Sequence, residues 1–150
     1  MPQSHSCIYI HLVFSTKERR RFLKDHFRED LHSYMGGALR RLDCIPFSIG
    51  SVEDHVHLLF SLSRNCALKQ VVSELKTSSG RMLKSQNMAP PEFGWQSGYG
   101  AFSVSKSKLS EVTSYIENQK QRHQKISFKE ELISFLEKHG LEYDERYLWE

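Results

Sequence analysis

Apolar and polar positions along the chain follow two repeating patterns, one with a period of two and one close to a helical turn. Residues 7–15 alternate strictly, which predicts a β-strand. Apolar residues recur every three or four positions between Leu23 and Leu42, which predicts an α-helix. Two further strands are predicted over 45–52 and 56–62, and a second helix over 68–83.

The same patterns continue in the second half of the chain. A fourth strand is predicted over 101–105, and helical spacing returns over 109–116 and 128–136. The order strand, helix, strand, strand, helix, strand predicts a split βαβ, or ferredoxin-like, α+β fold: an antiparallel sheet with helices on one face. An added helix in the C-terminal part carries Tyr115. A chain of 150 residues is expected to form one domain, 1–150.

Two histidines, His55 and His57, flank a valine at the start of the third predicted strand. Because successive side chains of a strand point to opposite faces, both imidazoles lie on one face, about 7 Å apart at the backbone. His11 shares that face if the first strand is a neighbour. Two imidazoles on one strand can form half of a divalent-metal site. For this motif alone, a half-buried pair hydrogen-bonded to its neighbours is the more ordinary role.

Tyr115 and Gln119 lie one helical turn apart and therefore on one face. Taken alone, Tyr115 has the position of a tyrosine at a core boundary. A carboxamide oxygen and two imidazoles, however, leave a divalent cation with open positions for a phosphate. A phenol, with a pKa of about 10, can break and rejoin a phosphodiester. These residues belong to a polar stripe formed by Glu111, Tyr115, Gln119 and Arg122.

The charge and cysteine content give only weak indications of the protein's partners and cellular location. Lys plus Arg number 21 against 18 for Asp plus Glu, and this net charge of +3 is a weak signal for nucleic acid. The basic cluster at 17–21 is, taken alone, best explained as solvated surface. Three cysteines without a C-x-x-C pair favour a reduced, cytoplasmic protein. Since no apolar run approaches membrane-spanning length, no membrane association is expected.

Four segments together resemble the single-tyrosine HUH transposases of small insertion sequences, named for a pair of histidines around a bulky apolar residue. The similarity extends over nearly the whole chain, and the joint pattern is more specific than any one part. The segments are HLVFST at 11–16, DHVHLL at 54–59, WQSGYG at 95–100 and YIENQ at 115–119.

The resemblance implies a transposase that cuts and rejoins single-stranded DNA at the ends of an insertion sequence. It implies that Tyr115 is the nucleophile, leaving a 5′-phosphotyrosine and a free 3′-OH, and that His55, His57 and Gln119 hold Mg²⁺ or Mn²⁺. It also implies a homodimer with strands joined edge to edge and an active site shared between subunits. The partner would be single-stranded DNA with a subterminal hairpin. The candidates for hairpin binding are Lys17, Arg19, Arg20, Arg21, Lys76 and Arg81.

Two alternatives stay open on the sequence. One is a domesticated nickase with the same chemistry that acts on repeated palindromes. The other is a non-catalytic nucleic-acid-binding module on the same fold. The presence of both histidines, Tyr115 and Gln119 counts against the second alternative, because a binding module has no need for all four.

Overall fold

The computed structural model describes residues 3–119, 125–146 and 148. The strands are β1 (Tyr9–Ser15), β2 (Ile45–Ser51), β3 (His55–Ser61) and β4 (Gly100–Val104). The α-helices are α1 (Arg28–Arg41), α2 (Leu68–Ser85), α3 (Leu109–Glu117) and α4 (Phe128–Lys138). The strands form one sheet in the order β2-β3-β1-β4, and all pairings are antiparallel. The predicted ferredoxin-like fold is therefore confirmed.

The larger core lies between one face of the sheet and the helices α1 and α2. Alternation along β1 sends Leu12 and Phe14 to this face, and both are fully buried. They cluster with Leu58 of β3, Met35 of α1 and Leu75 of α2. Burying apolar side chains of this size stabilises the fold by roughly 1.5–3 kcal/mol each. The two central strands are thereby held rigidly in place.

The other face of the sheet is covered by α3 and α4. Val13 of β1 and Phe102 of β4 form a second, smaller core there with Phe128 and Leu132 of α4. Helix α3 approaches β2 so closely that a Cβ atom on Gly50 would lie 2.7 Å from the carbonyl oxygen of Ile116. The face that the strand pattern leaves free for a site is therefore enclosed by helices.

Strand register places the polar residues of this second face next to one another. Val13 of β1 lies opposite His57, and Ser15 lies opposite His55. Since residues two apart share a face, His11 lies diagonally across from His57 on the same side. The expected position of His11 beside the histidine pair is confirmed.

The first helix begins later than its apolar pattern predicts. Leu23 and Phe27 are buried, but they precede α1, which starts at Arg28. The Arg28 Nε donates to the carbonyl of Leu23 over 2.9 Å and so holds this preceding segment against the helix. Among the described residues, no helix is long and apolar enough to span a membrane.

Candidate active site

The histidine pair is oriented by a hydrogen bond at Nδ1 of each ring. The His55 Nδ1 lies 2.7 Å from the Oδ1 of Asp54, and the His57 Nδ1 lies 2.8 Å from the Nε2 of His11. Both rings are fully buried. Because Nδ1 is engaged on each ring, the Nε2 atoms are the ones directed toward a common point. Such outer partners fix the orientation of metal-binding histidines.

That common point is the carboxylate of Glu131, from helix α4. Its Oε1 lies 2.9 Å from the His57 Nε2 and 3.3 Å from the His55 Nε2. The side chain is only 1% exposed. The sequence analysis did not identify Glu131. One signal for it exists, since a carboxylate stands between Phe128 and Leu132 on the apolar stripe of this helix, where a charged residue needs a buried partner.

The donor set fits a divalent cation. One ligand atom from each of His55, His57 and Glu131 lies within 4.8 Å of the other two. Neighbouring ligands of an octahedral ion with bonds of about 2.1 Å are separated by about 3.0 Å, close to the two nitrogen–oxygen distances measured here. Two imidazoles and a carboxylate suit Mn²⁺ and Zn²⁺ better than Mg²⁺, which prefers an all-oxygen environment.

Tyr115, on α3, joins the same carboxylate. Its hydroxyl donates a hydrogen bond to the Oε2 of Glu131, while the Oε1 faces the histidines. The Tyr115 ring centroid lies 5.7 Å from that of His57 and 6.1 Å from that of His11. The tyrosine predicted to be the nucleophile and the predicted histidine pair therefore meet within one chain.

Gln119 lies just beyond α3 and is only 2% exposed. Its Nε2 donates to the carbonyl oxygen of Tyr115 over 3.2 Å. Its Oε1 is buried without a hydrogen-bond partner among the described residues. Buried oxygens are normally hydrogen-bonded, so this unpartnered oxygen is a candidate ligand for a cation. In the described part of the chain it makes no hydrogen bond to either histidine. Arg122, the last member of the predicted polar stripe, lies outside the described residues.

Burial and neighbouring groups shift the pKa values of His55 and His11 in opposite directions. Burial opposes protonation of His55, but hydrogen bonds to Asp54 and Glu131 outweigh it and raise the pKa of this imidazole. Burial, helped by His57, lowers the pKa of His11 to about 3. The site therefore places a neutral imidazole behind His57 and a readily charged one beside Asp54 and Glu131.

Helix α4 covers the site and leaves an opening beside the tyrosine. The Phe128 ring stacks on His55 with centroids 4.5 Å apart, and the Phe135 ring packs edge-on against His11 at 5.2 Å. A cleft of about 220 Å³ is lined in part by Tyr115, Glu131 and Lys138. His55 and His57 are fully buried beneath this helix, whereas His11 lines the cleft.

The basic cluster 17–21 lies close to the turn that precedes His55. Its residues are exposed, and the backbone N–H groups of Thr16 and Leu23, on either side of it, donate to Asp54 and Glu53 in that turn. Arg19 and Arg21 line a cavity of about 540 Å³ together with Asp54 and Phe128, both of which contact His55. The cluster thus borders the end of the sheet that carries His55.

The two basic candidates on α2 differ from each other in their surroundings. Arg81 is exposed, whereas the Nζ of Lys76 donates to the carbonyl oxygens of Gln96 and Gly98 over 2.8 Å each. Burial lowers the pKa of Lys76 to about 8. The structure therefore gives Lys76 a role in holding the loop before β4, next to the exposed ring of Tyr99.

Two solved structures share this fold, and both are described as transposases. A crystal structure described as that of "a putative transposase from Deinococcus radiodurans R1" has a TM-score of 0.61 and 24% identity, covering 79% of this chain and 98% of that one. A REP-associated tyrosine transposase bound to a REP hairpin has a TM-score of 0.59 and 12% identity, covering 84% of this chain and 76% of that one. At these identities the likeness concerns the fold.

The particular family follows from the sequence itself. The family model "Transposase IS200 like" matches residues 4–119, and the chain belongs to this family. No match was found among curated protein sequences. The matched segment contains both histidines, Tyr115 and Gln119, but ends before α4. Glu131 therefore lies outside the part of the chain on which membership rests.

Proposed function

We propose that the protein is a metal-dependent transposase that cleaves and rejoins single-stranded DNA through a phosphotyrosine at Tyr115. One observation carries this proposal: the Tyr115 hydroxyl and the Nε2 atoms of His55 and His57 converge on a single buried carboxylate, Glu131. A tyrosine at a core boundary has no need of a buried charged partner. Membership of a transposase family supplies the DNA substrate.

In the proposed cleavage step, Glu131 accepts the phenolic proton of Tyr115 at Oε2. The phenolate oxygen attacks the scissile phosphorus, the bond to the 3′ oxygen breaks, and that oxygen leaves as a 3′-OH after taking a proton from water. The DNA 5′ end is then held as a phosphotyrosine, and attack by a 3′-OH reverses the step and rejoins a strand. The reaction conserves the phosphodiester energy and needs no nucleotide cofactor.

His55, His57 and the Oε1 of Glu131 would hold the divalent cation, with Gln119 as a further oxygen ligand. When bound, a cation there polarises a phosphate and stabilises charge on the leaving oxygen. Mn²⁺ suits this donor set, and Mg²⁺ is the second choice because it favours oxygen ligands. The Oε1 of Gln119 is buried without a hydrogen-bond partner in the described part of the chain, which supports its inclusion.

We expect the DNA partner to contain a hairpin near the cleavage position. Exposed arginines at 19–21 supply phosphate contacts beside the histidine end of the sheet. A solved structure of the same fold is bound to a REP hairpin, which supports hairpin binding and also favours a second candidate function, nicking at repeated palindromes. Sequencing the DNA that flanks the gene separates the two, because only a mobile element carries paired element ends.

A covalent adduct assay tests the chemistry. The protein is incubated with single-stranded hairpin DNA from its own locus and Mn²⁺ or Mg²⁺, and a protein–DNA adduct that resists denaturation is expected. Tyr115→Phe should form none. Tyr34→Phe, on α1 in the opposite helical layer, is the matched control and should react like the parent protein. Adduct formation by Tyr115→Phe at the parent rate would overturn the assignment of the nucleophile.

A homodimer with a shared active site is a separate proposal. Tyr115 already lies beside His57 within one chain, so distance alone does not require a second subunit. Light scattering determines whether the protein is dimeric. Mixing His57→Ala with Tyr115→Phe then locates the site: adduct formation by the mixture alone indicates a shared site, whereas an inactive mixture of confirmed heterodimers indicates a site within each chain.

A further inference from the structure

His11 lies behind the histidine pair and is not explained by the proposed chemistry. It sits on β1 and is only 3% exposed. Its Nε2 lies 2.8 Å from the Nδ1 of His57, which makes it the partner of His57 on the side away from Glu131. A polar ring in an otherwise apolar position costs folding free energy unless it is paired, so this contact needs a reason.

The other ring contacts of His11 among the described residues are with aromatic side chains. Its ring packs edge-on against Phe135 at 5.2 Å and Tyr115 at 6.1 Å, and lies 6.5 Å from Phe102. These contacts do not require a nitrogen, and an apolar ring could fill the same space. The hydrogen bond to His57 is therefore the described contact that distinguishes histidine from phenylalanine at this position.

A metal-binding imidazole needs a lone pair on the nitrogen that faces the cation, and its proton then resides on the other nitrogen. For His57 the nitrogen facing the site is Nε2, so a bound cation places the proton on Nδ1, opposite His11. When the Nε2 of a neutral His57 instead donates to Glu131, its Nδ1 must accept a hydrogen bond from His11. A neutral imidazole can do either through Nε2, according to its tautomer. His11 can therefore hydrogen-bond to the Nδ1 of His57 both with a cation bound and without one.

We infer that His11 is a positioning residue that orients His57 for cation binding by holding its Nδ1. This inference rests on the proposed metal site. His11 would then be a third histidine of the site, on a different strand from the other two, that does not itself bind the cation. The equivalent partner of His55 is the Oδ1 of Asp54, so each proposed histidine ligand has its own outer group. Loss of such a group weakens metal binding by about 10- to 100-fold.

Calorimetric titration with Mn²⁺, without DNA, tests the inference on the purified protein. His11→Phe fits the aromatic surroundings and should weaken Mn²⁺ binding by about 10- to 100-fold. His11→Gln should restore most of the affinity, because its carboxamide can accept or donate by rotation. His32→Phe alters another histidine, one that bonds to Ser51 instead of the site, and should leave the affinity unchanged.

The possible outcomes separate the two proposals. Failure of the parent protein to bind Mn²⁺ overturns the metal site and this inference with it. Parent-like binding by His11→Phe overturns the inference alone, as does equal weakening in the Phe and Gln variants. Thermal unfolding without metal verifies that each variant is folded. If phenylalanine is not accommodated, His11→Leu, also without a ring nitrogen, is titrated instead.

Discussion

The Tyr115 hydroxyl donates a hydrogen bond to the Oε2 of Glu131, sixteen residues further along the chain and on a different helix. The other oxygen of that carboxylate faces His57 at 2.9 Å. One buried anion thus connects the proposed nucleophile to the proposed metal ligands. Because both oxygens are engaged, removal of its charge should affect the tyrosine and the histidines together.

Glu131→Gln keeps the shape of the side chain but removes this charge. We expect Mn²⁺ affinity, measured by calorimetry, to fall by at least about tenfold, since a ligand contributes no less than an outer-sphere partner. Adduct formation should fall as well, because the amide is a poor acceptor for the phenolic proton. The control is Glu130→Gln, on the exposed side of the same helix turn. Unchanged Mn²⁺ affinity in Glu131→Gln would exclude the carboxylate as a ligand.

Gly50 permits α3 to approach the sheet and so positions Tyr115. In Gly50→Ala the new Cβ would lie 2.7 Å from the Ile116 carbonyl oxygen and 2.8 Å from its Cγ2, so the helix must move. We expect a loss of about 1–3 kcal/mol in the free energy of unfolding, measured with denaturant. Adduct formation should also slow more than tenfold, because a small displacement of the nucleophile disturbs its alignment for attack on a bound phosphate.

The control for this change is Gly37→Ala on α1. Among the described residues, a Cβ there would meet only the Arg41 Nη1, at 3.7 Å, and alanine favours a helix by about 1 kcal/mol over glycine. Greater stability with normal adduct formation is expected. If Gly50→Ala matches the parent protein in both measurements, the close approach of α3 is not what places Tyr115.

The arginines at 19–21 and Lys76 should behave differently in DNA binding. Replacing Arg20 and Arg21 with glutamine should weaken hairpin binding and reduce the dependence of log K on log salt, by up to about 0.9 for each phosphate that these arginines neutralise. Lys76→Met should instead leave the salt dependence unchanged and lower the melting temperature, because its Nζ holds carbonyl oxygens of the loop. Fluorescence anisotropy at several salt concentrations makes the comparison.

The control for nonspecific loss of charge replaces both Arg40 and Arg41 with glutamine. These arginines lie at the end of α1, in the opposite helical layer. A salt dependence reduced equally by the Arg40/Arg41 and Arg20/Arg21 variants would indicate that hairpin binding depends on total charge. A reduced salt dependence in Lys76→Met would show that this lysine contacts phosphate despite its carbonyl partners.

Acid should destabilise the protein through histidines that are buried uncharged. Burial, with a contribution from Arg28, lowers the pKa of His32 from its ordinary 6.5 to about 4. Between these values the unfolded chain binds more protons, so stability falls as the pH drops from about 6.5 toward 4. His32→Gln retains a polar group for Ser51. Its melting temperature should decrease less between pH 7 and pH 4.5 than that of the parent protein. An identical decrease in melting temperature in the parent and the variant would show that His32 does not contribute to acid destabilisation.

The local patterns of the sequence determined the elements and the faces of the sheet. Strict alternation in residues 7–15 and the two-residue spacing of His55 and His57 depend only on the period of a strand. Both histidines could therefore be assigned to one face, and His11 to the same face on the condition that the first strand is a neighbour. Tyr115 and Gln119 were identified because their spacing, together with the histidines, resembles a known family. Each of these inferences uses residues that are close in sequence, or a pattern that a family shares.

The tertiary structure alone decided which distant groups meet. Glu131 joins the histidines because α4 folds back over the sheet, and Lys76 binds the loop before β4 because α2 packs beneath it. Periodicity reports which side of an element is apolar, but it carries no information about which other element will cover that side. Those contacts depend on long-range packing, and through it one buried carboxylate became the point where the proposed nucleophile and metal ligands converge.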